Sequence, residues 1–315
     1  MIGARSLQAP KVTVFIQTFN HARFIAQAIE SAVSQRTTFP FEILVADDCS
    51  TDGTRDTVID YAKRHPGLIR TLLPPRNLGI YEIAEIGLND CRGDYVAFLE
   101  GDDYWTDNEK IQLQADLLER AGDAYICGAR AQVLRDGDEV PYRIAPHNSS
   151  DELAGFGARE LFEGKWWFRT CTKMYPRHVI QSIPRRFVRD WAGGLWLIAK
   201  TNFGKVCFLD RVVGVYREHS GGVFSSRTPE HRAMTDAETL LRVTPLFAGA
   251  DRLHLTRLLE ESVSRLVQSN IAQLEAGEIG RFAPLRYASR AAMLNPASAQ
   301  SWRQVAAGVR VALSN

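Results

Sequence analysis

The sequence has no paired cysteines. Its five cysteines, Cys49, Cys91, Cys127, Cys171 and Cys207, are odd in number and far apart. Without a CxxC pair, neither a zinc knuckle nor a disulfide framework is supported, and a reducing compartment fits best. There is no apolar run long enough to span a bilayer and no signal-peptide core near the N-terminus. A cytoplasmic protein without a transmembrane anchor is therefore expected. No sign of charge dominates: 38 Lys and Arg stand against 37 Asp and Glu, a net charge of +1. No global field is aimed at nucleic acid, so no nucleic-acid partner is expected. Internal repeats and low-complexity tracts are absent too. One lack is regional: from Ile279 to Asn315 there is no Asp or Glu, yet Arg281, Arg286, Arg290, Arg303 and Arg310 are present.

What is present is an ordinary globular composition, 45% hydrophobic and 24% charged over 315 residues. That length holds one large domain and a smaller appendage. Lys11 to Gln17 (KVTVFIQ) reads as a buried strand, and Ala22 to Gln35 has helical spacing. Phe41 to Ala46 reads as a second strand, ending in a turn-rich segment with good N-cap residues, and a helix is expected to about His65. A third strand over 68–73, a helix over 80–91 and a fourth strand over 95–99 follow. Such alternation predicts an α/β fold with a mostly parallel sheet and helices on both faces. Ligands in such sheets bind at the carboxyl ends of the strands. Thr18–Asn20, Asp47–Asp48 and Glu100–Asp103 all follow strands, so they converge on one edge.

The central stretch is Gly93 to Trp105, GDYVAFLEGDDYW. It opens as a buried strand and then places three carboxylates, Glu100, Asp102 and Asp103, within four residues. Crowded carboxylates repel one another and need a compensating charge, for which a divalent cation is the obvious candidate. The bland alternative is a solvated acidic turn. Beyond it, a helix is expected to about Ala121, a hairpin over 124–144 around Asp136-Gly137-Asp138, an aromatic strand-like segment from Lys165 to Tyr175, a helix after Asp190, and a strand over 206–216. From about Thr228 the character turns helical, with Leu255, Leu259, Val263, Leu266, Ile271 and Leu274 at helical spacing. The expected division is 1–227 (a nucleotide-binding half about 11–105, an acceptor half about 106–227) and a helical subdomain over 228–315.

The motif order resembles the inverting family 2 glycosyltransferases of GT-A fold. The resemblance covers about residues 11–226. It is carried by VTVFIQTFN, FEILVADDCSTDGT, Asn77-Leu78-Gly79, GDYVAFLEGDDYW, the Asp190-Trp191 segment and YREHSGG. The EGDDYW form is similar to a subgroup found in bacterial surface-polysaccharide synthesis. The resemblance implies a nucleotide-diphosphate sugar, with UDP favoured, and a divalent metal, Mn²⁺ or Mg²⁺. Phe19 would pack on the base and Asp48 would accept its imino N–H. Thr18, Asn20, Asn77, Glu100, Gly101 and Arg217 would complete the donor site. Asp102 and His219 would meet the metal, and Asp190 would be the general base. Gln17 stands where proline is usual, Cys49 where glycine is common, and Glu100 where the first Asp of a DxD motif is common. Its extra methylene leaves metal contact, ribose contact and a supporting role all open. The Q-x-x-R-W motif and membrane helices of the processive synthases are absent, so single sugar additions are expected.

Each residue has a bland counterpart. Asp103 can cap the next helix or orient the acceptor. Asp47 reads as structural, and Ser50 and Asp52 as turn and N-cap residues. Asp190 can be a helix cap, and His219 an ordinary strand-end residue. Arg217 can pair with diphosphate or with Glu218. Trp166 and Trp167 can stack on a sugar or sit in the core, and Thr170 and Thr172 can line the acceptor side. A nucleotidyltransferase and a non-catalytic sugar-nucleotide binder compete as functions. No Gly-rich phosphate loop with a lysine follows the first strand, against the former. Retention of Asp48, Asp102, Asp190 and His219 together argues against the latter. After Asn295-Pro296, Ser298 can cap a last helix whose Trp302, Val305, Ala306, Val309 and Leu313 share one face. That basic helix either packs on the catalytic domain or a second subunit, giving a homodimer, or docks peripherally on the inner membrane face, where a lipid-linked acceptor would lie.

Overall fold

The computed structural model describes residues 9–138, 140–146, 168–182, 206–222, 240, 244–246, 248–275, 289, 292, 293, 299, 300, 303 and 306. The chain separates into two compact units, one reaching Ser220 and the other continuing from Gly221. Asp190, Trp166, Trp167 and most of the expected C-terminal basic helix lie outside the described residues.

The first unit is built on a nine-stranded sheet in the order β3-β2-β1-β4-β8-β6-β9-β5, with β7 added to β6. Its parallel half is β1 (Val12–Thr18), β2 (Phe41–Asp47), β3 (Ile69–Leu72) and β4 (Tyr95–Glu100). The helices between them are α1 (Ile25–Val33), α2 (Thr54–Arg64) and α3 (Ile80–Asp90). Strands buried on both faces read as continuous apolar runs, and VTVFI and ILVA are such runs. Val12, Val14, Ile16, Ile43, Val45 and Leu99 are essentially inaccessible and pack with Ile25, Ala28, Ile29 and Ala32 of α1.

The sheet then becomes mixed, with antiparallel and parallel pairings. β5 (Tyr104–Trp105), α4 (Lys110–Ala121), β6 (Ile126–Arg135), β7 (Arg143–Ala145), β8 (Met174–Pro176), the short helix α5 (Arg177–Gln181) and β9 (Val206–Glu218) complete it. β8 joins β4 to β6, and the long β9 runs parallel to β6 with an irregularity near Arg130. The hairpin expected around Asp136 is present. The segment from Lys165 to Tyr175 is not one strand: Thr170–Thr172 is a 3-10 turn and only Met174–Pro176 is extended. Two hydrogen bonds shape that turn, Lys173 N–H to Thr170 O and Thr172 hydroxyl to Arg169 O.

In the second unit α6 (Gly249–Glu275) is the long described helix, and Leu255, Leu259 and Val263 on one stripe are buried. Among the described residues, no helix is long and apolar enough to cross a membrane.

One buried cation stands out in the first unit. Lys110 is fully inaccessible; its Nζ bonds Gln114 Oε1 at 2.7 Å and sits 4.2 Å from the Trp105 ring centroid. Gln114 in turn donates to Thr172 O and Cys127 O, and Trp105 Nε1 donates to Cys171 O. Burial pulls the Lys110 ammonium down to about 7. A lysine whose folded pKa is depressed binds fewer protons folded than unfolded between about pH 7 and its ordinary value. Stability therefore rises with pH across that window. Chemical denaturation at pH 7 and pH 9 checks this. The wild type should gain roughly 2 kcal/mol more than Lys110→Met over that interval, since each proton contributes about 1.4 kcal/mol per pH unit.

Candidate active site

The ends of β1, β2 and β4 meet through backbone bonds. Asp48 N–H donates to Thr18 O at 3.0 Å, and Gly101 N–H donates to Gln17 O at 2.9 Å. Gly101 admits no side chain: a Cβ there would lie 2.3 Å from Thr18 Oγ1 and 2.9 Å from His21 Nδ1. That close approach presses the acidic loop against the β1 loop. Asn20 holds the β1 and β2 loops together, its N–H donating to Ser50 Oγ and its Oδ1 accepting from Thr51 N–H. It does so at φ 55°, and Cys49 sits at φ 61°. The left-handed backbone at Cys49 is one that glycine adopts without cost, which rationalises the glycine common there in the resembling family.

Asp48 is buried. Its Oδ1 accepts from Leu78 N–H at 2.7 Å and its Oδ2 from Gly79 N–H at 2.8 Å, while Asn77 Nδ2 donates to Asp48 O. This carboxylate therefore pins the Asn77–Gly79 loop, and an imino N–H would have to share one of its oxygens. Gln17 also reaches this loop, donating to Ile80 O at 2.7 Å. Asp47 is structural on its occupied side, where Arg55 Nε donates to Oδ2 at 2.7 Å. Ser50 and Asp52 act as turn residues, Asp52 accepting from Ala22 and Thr54. Phe19 projects from the same rim with 43% of its surface exposed, an open ring beside the loop.

The acidic loop is closed by β9. Antiparallel pairing of Tyr104 with Val215 and Trp105 with Gly214 carries Arg217–His219 back over Asp102–Asp103. Asp102 Oδ2 lies 3.0 Å from His219 Nε2 and 3.8 Å from His21 Nε2. Asp103 is fully buried and accepts from Arg217 N–H at 2.8 Å. It does not cap α4, because β5 and the Thr106–Glu109 turn separate it from that helix. Asp107 instead accepts from Glu109 N–H. Arg217 does not pair with Glu218. Its guanidinium donates to Asp102 O and to Gln27 Oε1, and lies over the rings of Phe24 and Tyr104.

The three carboxylates are driven apart electrostatically. Burial and the Asp102 charge push Glu100 up to about 7, opposed by Lys173. Burial and the Asp102 and Glu100 charges raise Asp103 well above the usual carboxylate range. Burial works against Asp102 too, but His219 and His21 hold its carboxyl below the ordinary value. Asp102 is thus the committed anion of the loop. Glu100 Oε2 and Asp103 Oδ2 are enclosed and have no hydrogen-bond partner among the described residues.

Among the described residues no three His, Cys, Asp or Glu side chains form a self-sufficient metal cage. The Asp102–His219 pair, one oxygen and one nitrogen donor 3.0 Å apart, would suit a divalent cation as two of its protein ligands. Thr172 is buried and does not line the site. His21 and Lys173 were not singled out by sequence. His21 directly follows the β1 loop, a positional signal that was available. Lys173 owes its place to the 3-10 turn, which no periodicity announces.

The pinning of the loop by Asp48 is testable. Asp48→Ala should remove two charge-assisted bonds of about 1.5–3 kcal/mol each and so speed amide hydrogen exchange at Leu78 and Gly79 by at least tenfold, read by NMR. Unchanged exchange at both amides would refute the pin.

The model of the family described as glycosyl transferase family 2 matches residues 13–183. A Mycobacterium tuberculosis protein described as uncharacterized is 28% identical over 251 residues, 79% of this chain and 70% of that relative. Among solved structures, Staphylococcus aureus TarS 1–349 in complex with UDP superposes with a TM-score of 0.59 at 17% identity, over 96% of this chain and 90% of that one. A mannosyltransferase from Pyrobaculum calidifontis in complex with GDP-Man and Mn²⁺ superposes with a TM-score of 0.60 at 18% identity, over 98% and 87%. The α/β architecture is that of the GT-A glycosyltransferases. This chain belongs to glycosyl transferase family 2.

Proposed function

We propose that this glycosyltransferase moves one sugar, with inversion, from a nucleotide-diphosphate sugar to a hydroxyl acceptor in surface-polysaccharide or glycan synthesis at the cytoplasmic face. The observation that carries the reading is the Asp102–His219 contact, set one loop away from the Asp48-pinned segment and the open Phe19 ring. A nucleoside would lie along Phe19 and the Asp48 loop, with UDP favoured. Its diphosphate would face Asp102 and His219. The solved neighbours bound to UDP and to GDP-Man with Mn²⁺ support this orientation of function without fixing the base.

Asp102 and His219 would hold a divalent cation, which when bound supplies Lewis-acid stabilisation of the departing diphosphate. Arg217 keeps this pair together: it anchors the Asp102 backbone on one side and continues into His219 on the other. Asp190 takes the proton from the acceptor hydroxyl as that oxygen bonds to the anomeric carbon and the bond to the diphosphate oxygen breaks. Attack from the face opposite the leaving group inverts the centre.

Two substitutions separate the roles. In calorimetry, Asp102→Asn should weaken nucleotide diphosphate binding about tenfold with Mn²⁺ present and leave it unchanged in EDTA, because only the cation-linked part is removed. Equal affinity of variant and wild type in Mn²⁺ would refute the assignment. Asp190→Asn should lower kcat by about 10²–10⁴ with donor affinity within about twofold, since a base acts on the acceptor proton. A parallel fall in both would make Asp190 a structural cap.

A further inference from the structure

Successive side chains on a strand face opposite ways, so Tyr216 and Glu218 of β9 point away from Arg217 and His219. They carry a second cluster of charge. Glu218 Oε2 accepts from the Tyr142 hydroxyl at 2.8 Å. Its Oε1 lies 3.3 Å from Arg143 Nη2 and 3.6 Å from Arg169 Nη2. Two guanidinium groups thus share one carboxylate oxygen, and neither forms a bidentate pair. Arg169 lies 4.3 Å from the Tyr216 ring centroid, and Arg135 lies 4.6 Å from that of Tyr142. Arg135 has no ion pair among the described residues. On the same hairpin Asp136 is held by Arg23, and Asp138 sits at the exposed turn. Among the described residues two cations therefore share the Glu218 carboxylate, and a third, Arg135, lies on the Tyr142 ring beside them.

The donors of this cluster are under-used. Arg169 Nε is enclosed and has no hydrogen-bond partner among the described residues, although 24% of its side chain remains accessible. Arg143 is 39% accessible. A guanidinium offers five donors in a fixed fork, and an oxyanion is the ligand that fits such a fork.

The cluster borders the reacting region. Glu218 stands between Arg217 and His219 in the chain, and Tyr216 feels the charges of Asp103, Glu100 and Asp102. Asp102, the one committed anion of that loop, would repel an anionic acceptor, so one could approach only with local compensation. The other face of β9 already holds Asp102 and His219, where the donor diphosphate belongs.

We infer that Arg143 and Arg169 form an oxyanion subsite for the acceptor, which carries a phosphate or a carboxylate beside the hydroxyl that reacts. Tyr142 and Tyr216 wall the subsite. This inference rests on the glycosyltransferase reading above.

The test is calorimetry on the full chain at low ionic strength with Mg²⁺ and saturating UDP. The probes are methyl phosphate and glucuronate. At least one should bind saturably, and the tighter of the two identifies a phosphate-bearing or a uronate-bearing acceptor. Arg143→Gln and Arg169→Gln should each weaken binding about fivefold or more, with UDP affinity and thermal midpoint unchanged. Glu218→Gln should tighten it several-fold, because a competing carboxylate is removed. No saturable binding, wild-type affinity in both arginine variants, or weaker binding in Glu218→Gln would overturn the subsite. If instead no nucleotide bound while the anion still did, the donor reading would fail, and with it the assignment of this anion site to an acceptor.

Discussion

The site depends on closing an acidic loop. Glu100, Asp102 and Asp103 leave the end of β4 together and are largely taken from water, a placement that an uncompensated cluster of charges cannot sustain. β9 supplies what the loop lacks. Its backbone N–H at Arg217 satisfies Asp103, its guanidinium grips Asp102 O, and His219 meets the Asp102 carboxylate. Burial then favours the protonated form of Asp103 and Glu100, leaving one anion concentrated at Asp102. The pairing of β5 with β9 exists at two residues only, yet it brings positions more than a hundred residues apart into contact.

Much of this was legible because the parallel half obeys simple rules. VTVFI, FEILVA and YVAFL are apolar runs bounded by polar turns, and each became a strand within a residue or two of expectation. The rule that ligands gather at strand ends then placed Thr18, Asn20, Asp48 and Asp102 on one edge without any fold knowledge. What sequence could not convey was the use each oxygen is put to. Asp48 is a short acidic residue after a strand, which reads equally as a ligand group or a loop anchor. Only the positions of the Leu78 and Gly79 N–H groups show it anchoring.

The mixed half was harder for a physical reason. Its β5, β7 and β8 are two or three residues long, and most of its pairings reach far along the chain, so local periodicity carries little information. Lys165–Tyr175 looked like an aromatic strand, but the bonds from Lys173 to Thr170 and from Thr172 to Arg169 coil three residues first. That coil puts Arg169 over Tyr216 and sets Lys173 within the field of Glu100. Asp103 was read as a possible cap because capping is the local use of aspartate before a helix. A tertiary donor, Arg217 N–H, outcompeted that local use.

Both faces of β9 therefore matter, and they differ in sign. One face gathers the carboxylates and imidazoles that suit a cation and the diphosphate it accompanies. The other gathers guanidinium groups around a single glutamate. A strand is the element best able to hold such opposites apart, since its period of two sends neighbouring residues in opposite directions at a fixed spacing. Arg217 and Glu218 illustrate it: adjacent in sequence and opposite in charge, they make no pair with each other, and each is committed on its own side. Had they paired, the loop at Asp102 would lose its anchor and the arginines around Glu218 the carboxylate they share. The separation of the acidic cluster from the arginine cluster is thus built into the pleat of one strand.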